Sequence, residues 1–347
     1  MSELNLDCPL QLPFDTIQMA HGGGGRIMHD LIESMLVPAF SNPALEARGD
    51  AAVLDLDGRA LAFTTDSFVV SPRSFPGGDI GELAVYGTVN DLACAGARPR
   101  FLSCALILEE GLALAELAHL VDSMRRAAVR CGVSIVTGDT KVVDRGKGDG
   151  VYINTAGIGL VPAGRRVGPK EVRPGDAVLV SGDLGRHGMA VLSVREGLAF
   201  DSPVVSDCAP VHLLAEALWT AGVEVHCLRD PTRGGLGAVL NEIALDSRLT
   251  LEVLEQEVPV SEPVASACEL LGLDPLYLAC EGRLVVFLPE PQAEAALAAL
   301  RRLPEGAGAA CIGHVLERGP AHVTLRTRLG TERILDLPSG AQQPRIC

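Results

Sequence analysis

Aromatic residues are scarce: one Trp, three Tyr and eight Phe account for 3% of the 347 residues. So thin a supply argues against an aromatic binding surface and favours close packing of helices on sheets. Positive charge is also short, with 29 Lys and Arg against 44 Asp and Glu and a formal charge of -15. Nucleic acid is therefore not an expected partner, because phosphate backbones are held by Lys and Arg. An acidic chain binds phosphates through metal ions instead. No uncharged apolar run reaches the roughly 18 residues that a membrane span requires, so no contact with a membrane is expected. The ten Cys include no C-x-x-C pair and no zinc-like spacing, and no signal peptide precedes them. They read as reduced thiols of a cytoplasmic protein. G-x-x-x-x-G-K-[ST] is missing, as is a clean G-x-G-x-x-G after a strand, so the two commonest phosphate folds find no support. Without H-E-x-x-H or G-x-S-x-G, zinc proteases and serine hydrolases also drop out.

What is present is apolar and rich in small residues: 48% hydrophobic, with 38 Gly. At this length two α/β domains are the better expectation. An N-terminal segment, 1–40, holds "HGGGGR" (His21 to Arg26) and a helix over 27–40. Consecutive glycines suit backbone amides that curl round something, although a surface loop is the commoner use. The first domain, 41–161, opens on a hairpin turning at Asp57-Gly58. A helix then starts at Asp79, with Ala84, Thr88, Asp91 and Ala95 along one stripe; an acid buried there is costly unless it meets a cation. Strand 100–108, helix 112–132 and strands 133–142 and 151–161 complete the unit. Residues 162–176, rich in Pro, Gly and cations, read as a linker. The second domain, 177–335, alternates again, with strands at 177–182, 223–228, 249–254, 280–288, 311–316 and 322–327. Within it "RDPTRGG" sets an acid at a strand end before a helix whose N-terminal amides favour an anion.

Asp50, Asp66, Asp91, Asp139 and Asp230 each stand at the edge of an apolar element beside Thr, Ser or Gly. Any one of them alone is more simply a cap or turn residue. Their recurrence is what a metal-bridged nucleotide site requires, since Mg²⁺ takes scattered carboxylates, water and phosphate oxygens. The chain ends on a thiol, Cys347, after a Pro/Gly/Gln-rich stretch, 336–347, that reads as a flexible tail. At ~3.3–3.6 Å per residue, the tail beyond Asp336 extends roughly 35–40 Å, enough to swing the sulfur between a partner and a pocket on its own body. A prenylation box is excluded, because its Cys stands four residues from the end. A frayed end that happens to finish on Cys fits the same residues.

Taken together, "HGGGGR", "GDAAVL", "TTDS", "TVNDLACAGARP", "TGDTKVV", "RDPTRGG" and the final "PRIC" resemble one family in the same order over essentially the full chain. It is the HypE hydrogenase expression/formation family of the aminoimidazole-ribotide-synthetase-like (PurM-like) superfamily. The superfamily motifs alone also fit selenophosphate synthetase or thiamine-monophosphate kinase; the "PRIC" end is far more specific. The resemblance implies a two-domain α/β fold whose N-terminal sheet joins that of a second copy in a homodimer with a barrel-like interface. It implies ATP-dependent dehydration of a carbamoyl group on the Cys347 sulfur to a thiocyanate. A HypF-type carbamoyltransferase would supply the group, and a HypC–HypD complex would accept the cyanide for [NiFe]-hydrogenase. By position in the matching motifs, Asp50, Asp66, Asp91, Asp139 and Asp230 would hold Mg²⁺. Gly22, Gly23, Gly24, Asp66, Asn90, Thr137, Gly138, Asp139, Arg233 and Gly234 would bind ATP. Lys141 would stabilise charge near the tail, and Glu281 of "CEGR" would be the base. The family more commonly reads Asn-Glu-Gly-Lys there, and Cys280 cannot supply the hydrogen bonds of an Asn amide.

Overall fold

In a computed structural model, the structure describes residues 16–198, 203–316, 319–338, 343 and 345–347. It begins with the glycine loop and a continuous helix: α1 (Arg26–Leu31), a π-helical stretch Ile32–Leu36, and α2 (Val37–Phe40). The hairpin is β1 (Ala52–Leu56) and β2 (Arg59–Phe68), paired antiparallel around Asp57-Gly58. After the short pair β3 (Ser74–Phe75) and β4 (Gly78–Asp79) comes α3 (Ile80–Cys94). Asp79 caps α3 by accepting from the amides of Gly81 at 2.8 Å and Glu82 at 3.0 Å. Such a cap satisfies amides that the first helical turn otherwise leaves unpaired. Ser123 adds a bond to the other Asp79 oxygen. The stripe of small residues lets α3 lie close on β2 and on β7 (Val151–Leu160).

Between them run β5 (Arg98–Glu109), α4 (Leu114–Cys131) and β6 (Ser134–Val143). β5 and β6 pair in parallel, the arrangement a helical crossover permits. The sheet order is β1-β2-β7-β5-β6. Its inner face, with Phe68, Leu102 and Ile153, buries against α3 and α4.

Residues 162–176, expected as a linker, include a short 3-10 turn at Pro169–Glu171 and pass straight into β8 (Asp176–Val180). Then follow α5 (Arg186–Arg195), α6 (His212–Thr220), β9 (Cys227–Arg229), α7 (Gly235–Ser247), β10 (Thr250–Leu254), α8 (Glu262–Leu271), β11 (Val285–Pro289), α9 (Ala293–Leu300), β12 (Ala310–Val315), β13 (His322–Arg326) and β14 (Glu332–Ile334). The order β14-β13-β10-β12-β8-β11-β9 makes a seven-stranded sheet covered on both faces, with every residue of β8 buried.

Three expectations change. The strand expected over 223–228 shortens to Cys227–Arg229, because His226 turns inward to bond Asp176. Cys280–Arg283 forms a bend before β11 rather than its first residues. β14, polar and short, carries no alternating pattern that sequence could reveal. Residues 339–342 and 344 of the tail, like 1–15, lie outside the described residues. The last three residues do not hang free: Ile346 is 3% exposed and sits in the first domain's core.

Candidate active site

Where the two domains meet, a cavity of about 380 Å³ opens beside α3. Four different segments deliver its acids. Asp50 precedes β1, Asp66 lies on β2, Asp91 on α3 and Asp230 follows β9, and all four line the space together with Glu281 and Cys347. The four aspartates are thus brought together across some 180 residues of chain, counting from Asp50 to Asp230 (230 − 50).

The electrostatics are those of a site suited to a cation. Burial and the neighbouring Asp66, Asp230 and Asp50 hold the Asp91 carboxyl well above its usual range, opposed by a 2.8 Å hydrogen bond from Thr64. Burial raises Asp230 to about 8, helped by Asp50 and opposed by Arg229. It raises Asp50 to about 6 against the pull of Arg229, whose Nε stands 2.7 Å from Asp50 Oδ1. Burial also raises Asp66, here opposed by Arg233. Asp50 Oδ2 is buried with no hydrogen-bond partner. An unpaired buried carboxylate oxygen is expensive, and a divalent cation coordinated by hard oxygens removes that expense. The residues therefore fit Mg²⁺. Cys94 adds a sulfur, its ligand atom lying within 4.8 Å of those of Asp50 and Asp230.

The same cavity is lined by the sulfur and a carboxyl. The Cys347 thiol is half-buried, and desolvation pushes it up to about 12, with Arg233 pulling it down. Glu281 is 2% exposed and its Oε1 has no partner. Burial and then Asp230 lift its carboxyl well above the ordinary value, with Arg233 again opposing. Arg233 thus mediates between acids and tail.

The glycine run does curl round something, namely another loop. A Cβ on Gly24, whose φ is +73°, would lie 2.6 Å from the Arg233 carbonyl oxygen. Of the run, Gly24 lines the main cavity, whereas Gly23 and Gly234 line a small neighbouring space; Gly22 is at neither. Asn90 is 1% exposed and spends both ends of its amide on the backbone of Ala209 and Val211, away from the cavity. Cys280 occupies the expected Asn position; its sulfur accepts from the amide of Gly185 at 3.2 Å.

Thr137, Gly138, Asp139 and Lys141 are not brought to this cavity. They lie on β6, whose residues face outward. Lys141 pairs with Asp139 at 2.7 Å, the two side chains 70% and 61% exposed. Gly138 has a packing reason, since a Cβ there would come within 2.1 Å of the Cys104 carbonyl oxygen.

Sequence reasoning missed Arg229, which ties Asp50 to Glu242. It also missed the apolar half of the cavity, where Met28, Ile32 and Val37 of the first helix face Val239 and Leu245 of α7. The "LRD" at the end of β9 held a signal for Arg229, a cation beside a predicted metal ligand.

Comparison with known proteins places the chain in two steps. Residues 48–161 match the AIR synthase related protein, N-terminal domain, and 173–326 match its C-terminal domain, so the fold is that of the two-domain AIR synthase-related class. Carbamoyl dehydratase HypE of Azotobacter vinelandii is 50% identical over 97% of this chain and 99% of its own length. The solved HypE in complex with ATP superposes with a TM-score of 0.81 at 50% identity, covering 96% of this chain and 100% of the other. In a HypE-HypF complex, HypE gives a TM-score of 0.85 at 48% identity over 89% and 99%. The chain belongs to the HypE family of carbamoyl dehydratases.

Proposed function

We propose that the interdomain cavity binds Mg-ATP and uses it to dehydrate a carbamoyl group carried on the Cys347 sulfur, the family reaction. One observation carries this reading: the terminal thiol lines the same cavity as the four aspartates and Glu281. A tail that merely frayed would leave such a sulfur in water.

The chemistry balances as follows. The carboxamide oxygen attacks the γ-phosphorus, ADP departs, and the O–P bond forms. The amide nitrogen then gives up its two protons, one to Glu281 and one carried away with phosphate, and the C–O bond breaks. An S-cyano-cysteine remains. Asp50, Asp66, Asp91 and Asp230 hold Mg²⁺, which when bound neutralises the phosphate charge. Glu281 is suited to take the nitrogen proton, since a carboxyl raised by burial is a stronger base once ionised. Arg233 offsets negative charge at the sulfur and at Glu281. Gly24 and Gly234, which let two loops cross closely, shape the entry for phosphate. Burial of a neutral thiol suits a group that receives its carbamoyl elsewhere and returns loaded.

Asp139, Lys141, Thr137 and Gly138 take their part through a second copy. The outer face of the first sheet carries Phe63, Phe101 and Ile107, each more than 40% exposed, an apolar surface of the kind that is covered by association. A homodimer formed there brings one copy's β6 toward the other's cavity. The HypE relative solved with HypF supports a HypF-type donor for this chain. A HypC–HypD complex is the acceptor expected of the family. The nine described cysteines are all free, which accords with the cytoplasm, and no described helix is long and apolar enough to cross a membrane.

The test is the mass of the C-terminal peptide after carbamoylation by a HypF-type enzyme, before and after Mg-ATP. The expected record is a carbamoyl gain on Cys347, then loss of one water only with ATP. An unmodified Cys347 alongside ATP consumption on a small molecule would overturn the reading in favour of a kinase.

A further inference from the structure

The last three residues are held by their backbone, and the groups that hold them are unlike those of the cavity. Every one of the three carbonyl positions is occupied. The amide of Val69 donates to a Cys347 carboxylate oxygen at 3.0 Å, and the amide of Ser71 to the Arg345 carbonyl at 3.2 Å. Arg345 Nε returns a bond to the Val69 carbonyl at 3.1 Å. The tail end thus lies alongside 69–71, tied by two backbone bonds, after a turn at Arg345 whose φ is +53°. Helix α5 closes the other side. His187, near its start, bonds the Ile346 carbonyl through Nε2 at 2.8 Å. Arg195, at its end, bonds the Arg345 carbonyl at 2.7 Å and the Ser71 carbonyl at 2.5 Å.

His187 is wholly buried and its tautomer is set from behind. Ser206 Oγ accepts from the Cys208 amide at 3.0 Å, which leaves its hydrogen for His187 Nδ1 at 2.9 Å. Nδ1 is then the acceptor and Nε2 carries the hydrogen, aimed at the tail. Phe75 stands edge-on to the ring with centroids 5.0 Å apart, and the His187 backbone amide is tied to Asp207. So rigid a donor does more than fill space. Ile346 and Cys347 are consecutive yet occupy different surroundings, the core and the cavity, so a slip of one residue displaces both side chains. Such a slip would take Ile346 out of the core and the thiol out of the cavity.

We propose that His187, together with Arg195 on the same helix, is a register latch for the C-terminus: it positions the Cys347 sulfur in the cavity without touching it. The proposal rests on Cys347 being the loaded residue, but its test does not. Alkylation of Cys347 by iodoacetamide, quantified on the C-terminal peptide by mass, reads how often the tail leaves its slot. Cys104, half-buried in the first domain, serves as the control within the same molecule. In folded His187→Leu and Arg195→Met the Cys347 rate should rise about ten- to hundredfold, since the first leaves the Ile346 carbonyl without its donor and the second takes the side-chain donor from the Arg345 carbonyl, leaving it the Ser71 amide alone. The Cys104 rate should stay as in the wild type. Single-turnover cyanation of carbamoylated protein should slow in the same variants. Unchanged Cys347 rates in the folded variants overturn the latch, as does a parallel rise at Cys104, which marks general loosening. Should His187→Leu fail to fold, Arg195→Met decides alone, because that side chain sits nearer the surface. Failure of carbamoylation in otherwise latched protein would count against the proposed reaction and leave the latch standing.

Discussion

The two sheets of this protein end in opposite conditions. In the second domain Ala177 to Val180 and Val285 to Leu288 are each 0% exposed, with helices on both faces. In the first, helices cover one face only, and β6 is exposed along nearly its whole length. A continuous hydrophobic strand marks a sheet covered on both sides, and β8 and β11 are such strands, whereas "SIVTGDTKVV" on β6 mixes Ile and Val with Ser, Thr, Asp and Lys. The difference teaches that one sheet is finished within the chain and the other is left bare on one face, where the homodimer proposed above would bring a second copy to Asp139 and Lys141.

The sharpest way to break this comparison is to ask whose cavity Lys141 serves. Lys141→Ala should lower turnover by about 10²–10³, the scale for removing one charge stabiliser of a transition state. Mixed dimers of Lys141→Ala with Cys347→Ala subunits should regain activity, because one cavity then holds both an intact tail and a partner's lysine. Mixed dimers as inactive as either parent would assign Lys141 to its own subunit or to no catalytic part at all.

Stability separates the sheets next. Phe287→Ala, in a strand closed on both faces, should cost about 3–5 kcal/mol in chemical denaturation. Val136→Ser on β6 should cost about 0.5 kcal/mol or less if water covers that face. A larger loss that grows as the protein is diluted would instead report burial against a second copy.

A further contrast concerns the acids between the sheets. Asp230 and Asp50 are raised in the folded chain to about 8 and about 6 from an ordinary 3.8. The folded state therefore binds protons more readily than the unfolded one in that interval, so stability falls as pH rises through it. Without divalent cations the melting temperature should decline from about pH 4 to pH 8; added Mg²⁺ should raise it and flatten the decline. A melting temperature in chelator that stays level or climbs over this range would show that the acids are not strained.

Several features were legible in the residues because they depend on neighbours in sequence. Asp57-Gly58 turned the hairpin as its type dictates, and Asp79 capped its helix through its own short side chain. The Asp residues at the edges of elements could be picked out as a group, since a carboxylate beside Thr or Gly is visible without a fold. What could not be read was company. Asn90 sits one residue from Asp91, yet helical geometry sends it to a different neighbour, where it clamps the backbone at Ala209 and Val211. His187 carried no motif, because its role comes from a carbonyl 159 residues away.

By itself, then, the sequence determined the two-domain alternation, the local turns and caps, and a terminal thiol on a chain rich in well-spaced acids, all of them consequences of side-chain chemistry acting within a few residues. Only the tertiary structure decided that four of the five acids share one cavity while Asp139 faces outward, and that the final sulfur turns into that cavity. Those outcomes depend on how two sheets pack across α3 and on backbone bonds that close between opposite ends of the chain, and such bonds are indifferent to the side chains a sequence displays.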